Sequence, residues 1–194
     1  MSKLKLSSLV FVSRNKDKYR EYSAILGIPD LKMSEISIVE IQDVSLHACM
    51  REKIERIKPQ LPYIPFFVEH TGLIIHAWRG LPGGLTGTFM ATVGNEGICK
   101  MLKAYEGLER RAKARVVLGF FYPDAGIVTF QGEVMGTIAP EPRGTNNFGW
   151  DPIFIPEGDE RTYGEMTLEE KNRTSMRKRL AEDFVDYLTD HFEL

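Results

Sequence analysis

Two aromatic rings and a carboxylate stand together in Phe148-Gly149-Trp150-Asp151-Pro152, and about twenty residues later come Glu170-Lys171-Asn172 and Ser175-Met176-Arg177. Aromatic faces stack on a flat base, a carboxylate hydrogen-bonds its edge, and cations hold oxygens of the base or of phosphates. Gly149 places no side chain between the two rings. Asp151 precedes a proline and is therefore extended, which aims its carboxylate away from the local chain. The set suits a nucleotide. Taken alone, the same loop also reads as an aromatic plug in the core. Among the basic residues that follow, Lys171 and Arg177 sit near helix starts, where a cation opposes the helix dipole. That marks them, more than Arg173, Lys178 or Arg179, as functional candidates.

A second cluster, Ser13-Arg14-Asn15-Lys16-Asp17-Lys18, lies where a strand passes into a helix. Helix N-termini present unpaired N–H groups and partial positive charge, so they attract anions. Arg14, Lys16 and Lys18 work against helix stability there but suit the gripping of a triphosphate. A solvated basic turn offset by Asp17 and Glu21 remains the alternative, since the pattern is not a Walker loop. The third cluster is Glu69-His70-Thr71-Gly72, at the end of an apolar strand. Ionisable groups at the carboxyl end of a strand line ligand crevices in α/β sheets. His70 can serve as a base near neutral pH, ligate a metal, or simply hydrogen-bond at the strand end. Glu40 adds a loop carboxylate that could join Glu69 around Mg²⁺.

The elements that must position these groups follow from apolar spacing and punctuation. Leu9–Val12 reads as a buried strand, and a helix opens at Asn15 and runs through Leu26, with Gly27 and Pro29 as stops. Val44–Lys58 has helical spacing. Phe66-Phe67-Val68 is a further buried strand, and Gly80–Gly84 a loop. Asn95 caps a helix to about Tyr105, closed by Gly107. Arg115–Tyr122 and Ile127–Ala139 form a hairpin turning at Pro123–Gly126. After the Pro142–Pro152 loop come a short strand through Ile155, a capping box at Thr167–Glu170 and a last helix from near Ser175 to Leu188. The basic run Arg110–Arg115 reads as a solvated edge. Strands and helices interleave early and a hairpin dominates later, which argues for α/β with a mixed sheet.

At 194 residues, 43% hydrophobic and 27% charged, the chain is an ordinary globular sequence with room for one sizeable core. A formal net charge of −2 offers no field for polymeric nucleic acid or anionic membrane, though a single nucleotide is not excluded. Cys49 and Cys99 match no metal-ligand spacing and read as buried free thiols. The Met1–Val12 stretch is too short and polar for a signal peptide, and no apolar run reaches bilayer length. A reducing cytoplasm is the expected compartment.

Read together and in order, these motifs resemble the inosine triphosphate pyrophosphatase (Ham1-like) family, from Phe11 to nearly the C-terminus. Thr92–Gly97 and Ile153–Pro156 add to the likeness. The resemblance implies a single domain over residues 1–194: a two-lobed α/β fold with a long mixed sheet, a cleft between the lobes, and a homodimer. It implies hydrolysis of deaminated purine triphosphates between the α- and β-phosphates, giving the monophosphate and pyrophosphate, with Mg²⁺ or Mn²⁺. By that resemblance Asn15 and Lys18 would hold phosphates and Glu40 would help hold the metal; the residue types themselves add Ser13 and Arg14 as phosphate candidates and Glu69 as a metal candidate. Phe148, Trp150, Asp151, Lys171, Ser175 and Arg177 would build the base pocket, and Glu69, His70 and Lys18 would serve catalysis.

Four positions depart from the family pattern. Thr-Gly-Asn is Ser13-Arg14-Asn15 here, which loses backbone freedom and adds a long cation. The second acid of Glu/Asp-Asp-Ser/Thr-Gly is His70, a neutral donor that prefers softer metals than Mg²⁺. Gly87 stands where a Lys or Arg usually follows the Pro-Gly loop. Ser-His-Arg reads Ser175-Met176-Arg177, removing a hydrogen-bonding group expected near the purine 6-oxygen. Two readings follow: an active pyrophosphatase with altered base or metal preference, or a nucleotide-binding member that no longer hydrolyses and acts as sensor or partner.

Overall fold

The computed structural model describes residues 4–5, 9–28, 31–105, 107–123 and 125–193. Its main sheet has six strands in the order β3-β2-β4-β5-β6-β7, with β2 Val10–Val12, β3 Lys32–Ser34, β4 Phe66–Ile75, β5 Arg111–Tyr122, β6 Gly126–Ile138 and β7 Phe154–Pro156. β2 pairs in parallel with β3 and β4, whereas β4, β5, β6 and β7 are successively antiparallel. The sheet is therefore mixed. A small parallel pair, β1 Leu4–Lys5 with β8 Phe192–Glu193, stands apart from it.

The described residues form six α-helices around the sheet: α1 Lys16–Leu26, α2 Leu46–Ile57, α3 Thr86–Thr92, α4 Gly94–Met101, α5 Leu168–Thr174 and α6 Met176–His191. Strand pleating sends alternate residues to opposite faces, which divides the core in two. On one face Leu46, Met50, Ile54 and Ile57 of α2 pack on Val10, Val12, Phe66 and Val68. On the other, Phe11, Phe67 and Phe120 meet Tyr22 of α1 and Phe184 of α6. Rings there lie close enough for aromatic pairing, as in Phe11–Phe67 at 4.7 Å.

Several boundaries differ from the sequence reading. β4 does not stop at Val68 but continues to Ile75, because its backbone stays paired to β5, Glu69 opposite Leu118 and His70 opposite Val117. The Arg110–Arg115 run is no edge: β5 begins at Arg111 and is flanked by β4 and β6. Arg115 and Lys113 pair there with Glu133 on the neighbouring strand at 2.8 and 3.2 Å. The helix expected from Asn95 to Tyr105 is preceded by α3 and ends at Met101. Pro29, expected as a helix stop, and Asp124, in the hairpin turn, lie outside the described residues. No helix among the described residues is long and apolar enough to cross a membrane.

Candidate active site

β2 accompanies β4 only as far as Phe67, so beyond that point one edge of β4 is free of its parallel partner. The cleft opens there, and α1 starts just after the end of β2. Asn15 caps α1 by accepting the N–H groups of Asp17 and Lys18 at 2.9 and 3.1 Å, while Ser13 Oγ accepts from Asn15 N at 3.1 Å. These local bonds fix the turn expected to hold phosphate. Gly27, left-handed at φ 59°, ends the helix.

The pleat sends Glu69 and His70 to opposite faces. Glu69 enters a buried ion network and is 3% exposed. Arg177 grips it with a two-pronged bond, Nε to Oε2 at 2.9 Å and Nη2 to Oε1 at 2.8 Å. Tyr22 donates to Oε2 at 2.9 Å, and Lys18 Nζ stands 2.9 Å from Oε1. Burial alone would raise the Glu69 pKa, but Arg177 and Lys18 outweigh it and hold the carboxyl well below its usual value. Arg177 also donates to Glu21 at 2.6 Å. Lys171 bridges Glu21 and Asp151 at 2.7 and 2.6 Å. Three carboxylates thus meet three cations.

Asp151 differs from Glu69. Burial pushes its carboxyl up to about 6, against the opposing pull of Lys171. Its Oδ2 accepts from Lys171 and from Asn146 Nδ2 at 3.1 Å. Phe148 lies over the Lys171 ammonium, 4.6 Å from ring centroid to Nζ, with the Arg177 guanidinium at 5.7 Å. Phe148, Asp151 and Arg177 all line the cleft. Trp150 reaches its wall but is mostly core, meeting Phe154 edge-on at 5.5 Å. Ser175 is buried as the cap of α6, accepting from Lys178 N at 3.2 Å. Met176 is wholly buried among apolar side chains.

On the other face His70 Nε2 lies 2.8 Å from the Gly84 carbonyl. A carbonyl only accepts, so Nε2 carries the hydrogen and Nδ1 keeps its lone pair. The Gly84 loop comes this close because β4 has glycine at position 72. A Cβ on Gly72 would fall 2.2 Å from Gly83 O, and one on Gly84 would fall 2.3 Å from Asp43 O. Burial and the nearby Lys53 ammonium lower the His70 pKa, partly offset by the Gly84 bond. The imidazole is neutral at pH 7. Lys53 Nζ donates to Glu69 O at 3.4 Å, a carbonyl on the edge that β2 leaves, and pairs with Glu40 at 3.0 Å. Burial would raise Glu40, but Lys53 outweighs it and the carboxyl sits below its ordinary value.

A cavity of about 570 Å³ runs along the phosphate end, lined by Ser13, Arg14, Asn15, Lys18, Glu40, Lys53 and Glu69 among others. It shares Asn15, Lys18, Glu40 and Lys53 with a second cavity of about 300 Å³ that also holds His70, Phe148, Asp151 and Arg177. Lys171 is buried and reaches the cleft only through Asp151 and Phe148, while Ser175 lines neither cavity. Sequence reasoning missed Glu21, Tyr22 and Lys53. Lys53 left a signal: it interrupts the apolar stripe of α2 between Cys49 and Ile57 at four-residue spacing.

The donors here do not fit a preformed divalent-metal site. Both Glu69 oxygens are bound by cations and a phenol, Glu40 is paired to an ammonium, and His70 is neutral. No group of three or more His, Cys, Asp or Glu side chains among the described residues is arranged to hold an ion. A hard ion such as Mg²⁺ wants several oxygen donors free to coordinate it.

A model of the Ham1 family matches residues 9–187. A "dITP/XTP pyrophosphatase" of Pyrococcus horikoshii is 38% identical over 182 residues, covering 93% of this chain and 96% of the relative. An "Inosine triphosphate pyrophosphatase" of Emericella nidulans is 37% identical over 188 residues, covering 95% and 98%. Among solved structures, a HAM1 protein from Coxiella burnetii superimposes with a TM-score of 0.81 at 25% identity, covering 94% of this chain and 98% of that one.

Proposed function

The chain belongs to the Ham1 family, and on that footing we propose that it cleaves purine nucleoside triphosphates, those of deaminated bases such as inosine and xanthosine, to the monophosphate and pyrophosphate. The observation that carries this reading is the continuity of the cleft: base-facing Phe148, Asp151 and Arg177 share one cavity with Lys18, Lys53 and His70. A base held at the first group places its triphosphate along the second and toward Arg14 and Asn15.

Each group then has a task its chemistry allows. Phe148 offers a ring to the base, and Asp151 a carboxyl to its edge. Lys18 and Lys53, with the start of α1, offset the charge of the phosphates and of the departing pyrophosphate. His70 Nδ1 takes a proton from water as the water oxygen bonds to the α-phosphorus. The bond from that phosphorus to the α,β-bridging oxygen breaks, and its electron pair leaves with pyrophosphate. The Gly84 carbonyl fixes the imidazole tautomer that makes Nδ1 the acceptor. Glu69 acts by holding Arg177 and Lys18 in place. Mg²⁺ or Mn²⁺ is the divalent ion expected to accompany the triphosphate. The homodimer implied by the family resemblance belongs to the same reading.

Pyrophosphate release from a panel of ribo- and deoxyribonucleoside triphosphates, with Mg²⁺ and Mn²⁺ in parallel, tests this. Release from the inosine and xanthosine substrates above that from the adenine one is the expected result. His70→Ala should lower kcat by about 10²–10⁴-fold, the usual worth of a general base. Nucleotide binding without release from any substrate would overturn the proposal.

A further inference from the structure

The arrangement around His70 bears on how a divalent ion reaches the site, on the premise that the substrate is a nucleoside triphosphate. Four donors surround the two Glu69 oxygens, at 2.8 to 2.9 Å. Coordinating an ion through Glu69 would require breaking a two-pronged bond to a guanidinium that is itself 2% exposed. Such pairs are costly to open because the freed charges stay buried. Glu40 keeps one oxygen on Lys53, whose ammonium also reaches the Glu69 carbonyl. A fixed cation already stands between the two glutamates. His70 gives its Nε2 hydrogen to Gly84 O and can add one neutral nitrogen. One paired carboxylate and one imidazole, beside two ammonium groups, make a poor seat for a hard dication.

We infer that the free protein holds no divalent ion of its own, that the ion enters only as part of a metal–triphosphate complex, and that His70 is the residue responsible. Lys18 and Lys53 act as the permanent cations of the phosphate end. The ion brought by the nucleotide adds to them without needing a carboxylate cage.

Mn²⁺ titration of the nucleotide-free protein, followed by the paramagnetic resonance signal of unbound Mn²⁺, reads this without reference to turnover. The wild type should leave the signal at its buffer value up to about 1 mM, the range of weak oxygen-ligand sites. His70→Asp, checked for folding by circular dichroism, places an anionic oxygen donor beside Glu40 and should bind at least about tenfold tighter. Stoichiometric uptake by the wild type below that range would overturn the inference. Folded His70→Asp that leaves Mn²⁺ free would overturn the assignment to His70. Pyrophosphate release measured on the same preparation separates the two conclusions. An active wild type that takes up Mn²⁺ keeps the pyrophosphatase reading and loses this one, whereas an inactive wild type that leaves Mn²⁺ free loses the pyrophosphatase reading and keeps only the metal-free state of the nucleotide-free protein.

Discussion

The two ends of the cleft treat charge in opposite ways. At the base end Glu21, Glu69 and Asp151 face Lys171 and Arg177, and these buried side chains bind one another at 2.6 to 2.8 Å. At the phosphate end Arg14 and Lys16 are exposed, Lys53 shares a single carboxylate, and His70 leaves a nitrogen lone pair unused. One end is closed on itself before any ligand arrives, which makes it rigid and costly to disturb. The other carries positive charge that only a ligand can answer. Recognition of a base needs fixed geometry, and capture of a polyanion needs spare cations. β4 contributes to both: its pleat turns Glu69 into the ion network on one face and His70 toward the Gly84 carbonyl on the other.

The largest effect is expected from Arg177→Ala. It leaves Glu21 and Glu69 buried without their main partner, which should cost about 3–5 kcal/mol. That corresponds to a fall in Tm of roughly 6–20 °C for a chain of this size, read by thermal unfolding. A loss within a degree or two would mean the base end is not held by its ion network.

Asp151 sharpens the contrast within that network. Folded, it keeps its proton up to about 6, against 3.8 for an ordinary Asp. Between these values the folded state binds more protons than the unfolded, so this group lowers stability as pH rises from about 4 to 6. Glu69 has the opposite sign: its contribution is present above the ordinary value of 4.5 and is lost only as pH falls toward its depressed folded value. Asp151→Asn should abolish that pH-dependent fall, on the order of 2–3 kcal/mol across the window. Denaturant unfolding at stepped pH reads it, and an unchanged pH slope would count against the burial argument.

At the phosphate end the expected losses appear in kinetics. Lys18→Met should lower kcat/KM for a triphosphate by about 10–100-fold, or roughly 1.4–2.7 kcal/mol. Its effect on affinity for the nucleoside alone should be small. The smallest effect is expected from Arg14→Gly, an exposed cation whose removal should raise KM by only about 2–5-fold and weaken its salt dependence. A larger loss from Arg14→Gly than from Lys18→Met would reverse the ranking of the two cations.

Local chemistry made part of this legible in the sequence. Asn15 caps α1, and Thr167 and Glu170 form the capping box read from their spacing, with bonds of 3.2 and 2.8 Å. Phe148, Asp151 and Arg177 meet at one cavity, as their types suggested. What escaped depends on contacts far apart in the chain. Glu21 resembles any helix-surface glutamate until folding brings Lys171, 150 residues away, and Arg177, 156 residues away, against it. The extent of β4 was hidden because polar Glu69-His70-Thr71-Gly72 looks like a strand end, yet β5 keeps pairing with it. The opposite facing of Glu69 and His70 follows from that continued strand alone.

The most direct test of the account is to follow inosine triphosphate through the protein in heavy-oxygen water and weigh the products by mass spectrometry. Attack at the α-phosphorus, beside His70, should give inosine monophosphate carrying the heavy oxygen together with unlabelled pyrophosphate. Label in the pyrophosphate, or formation of the diphosphate and free phosphate, would contradict it.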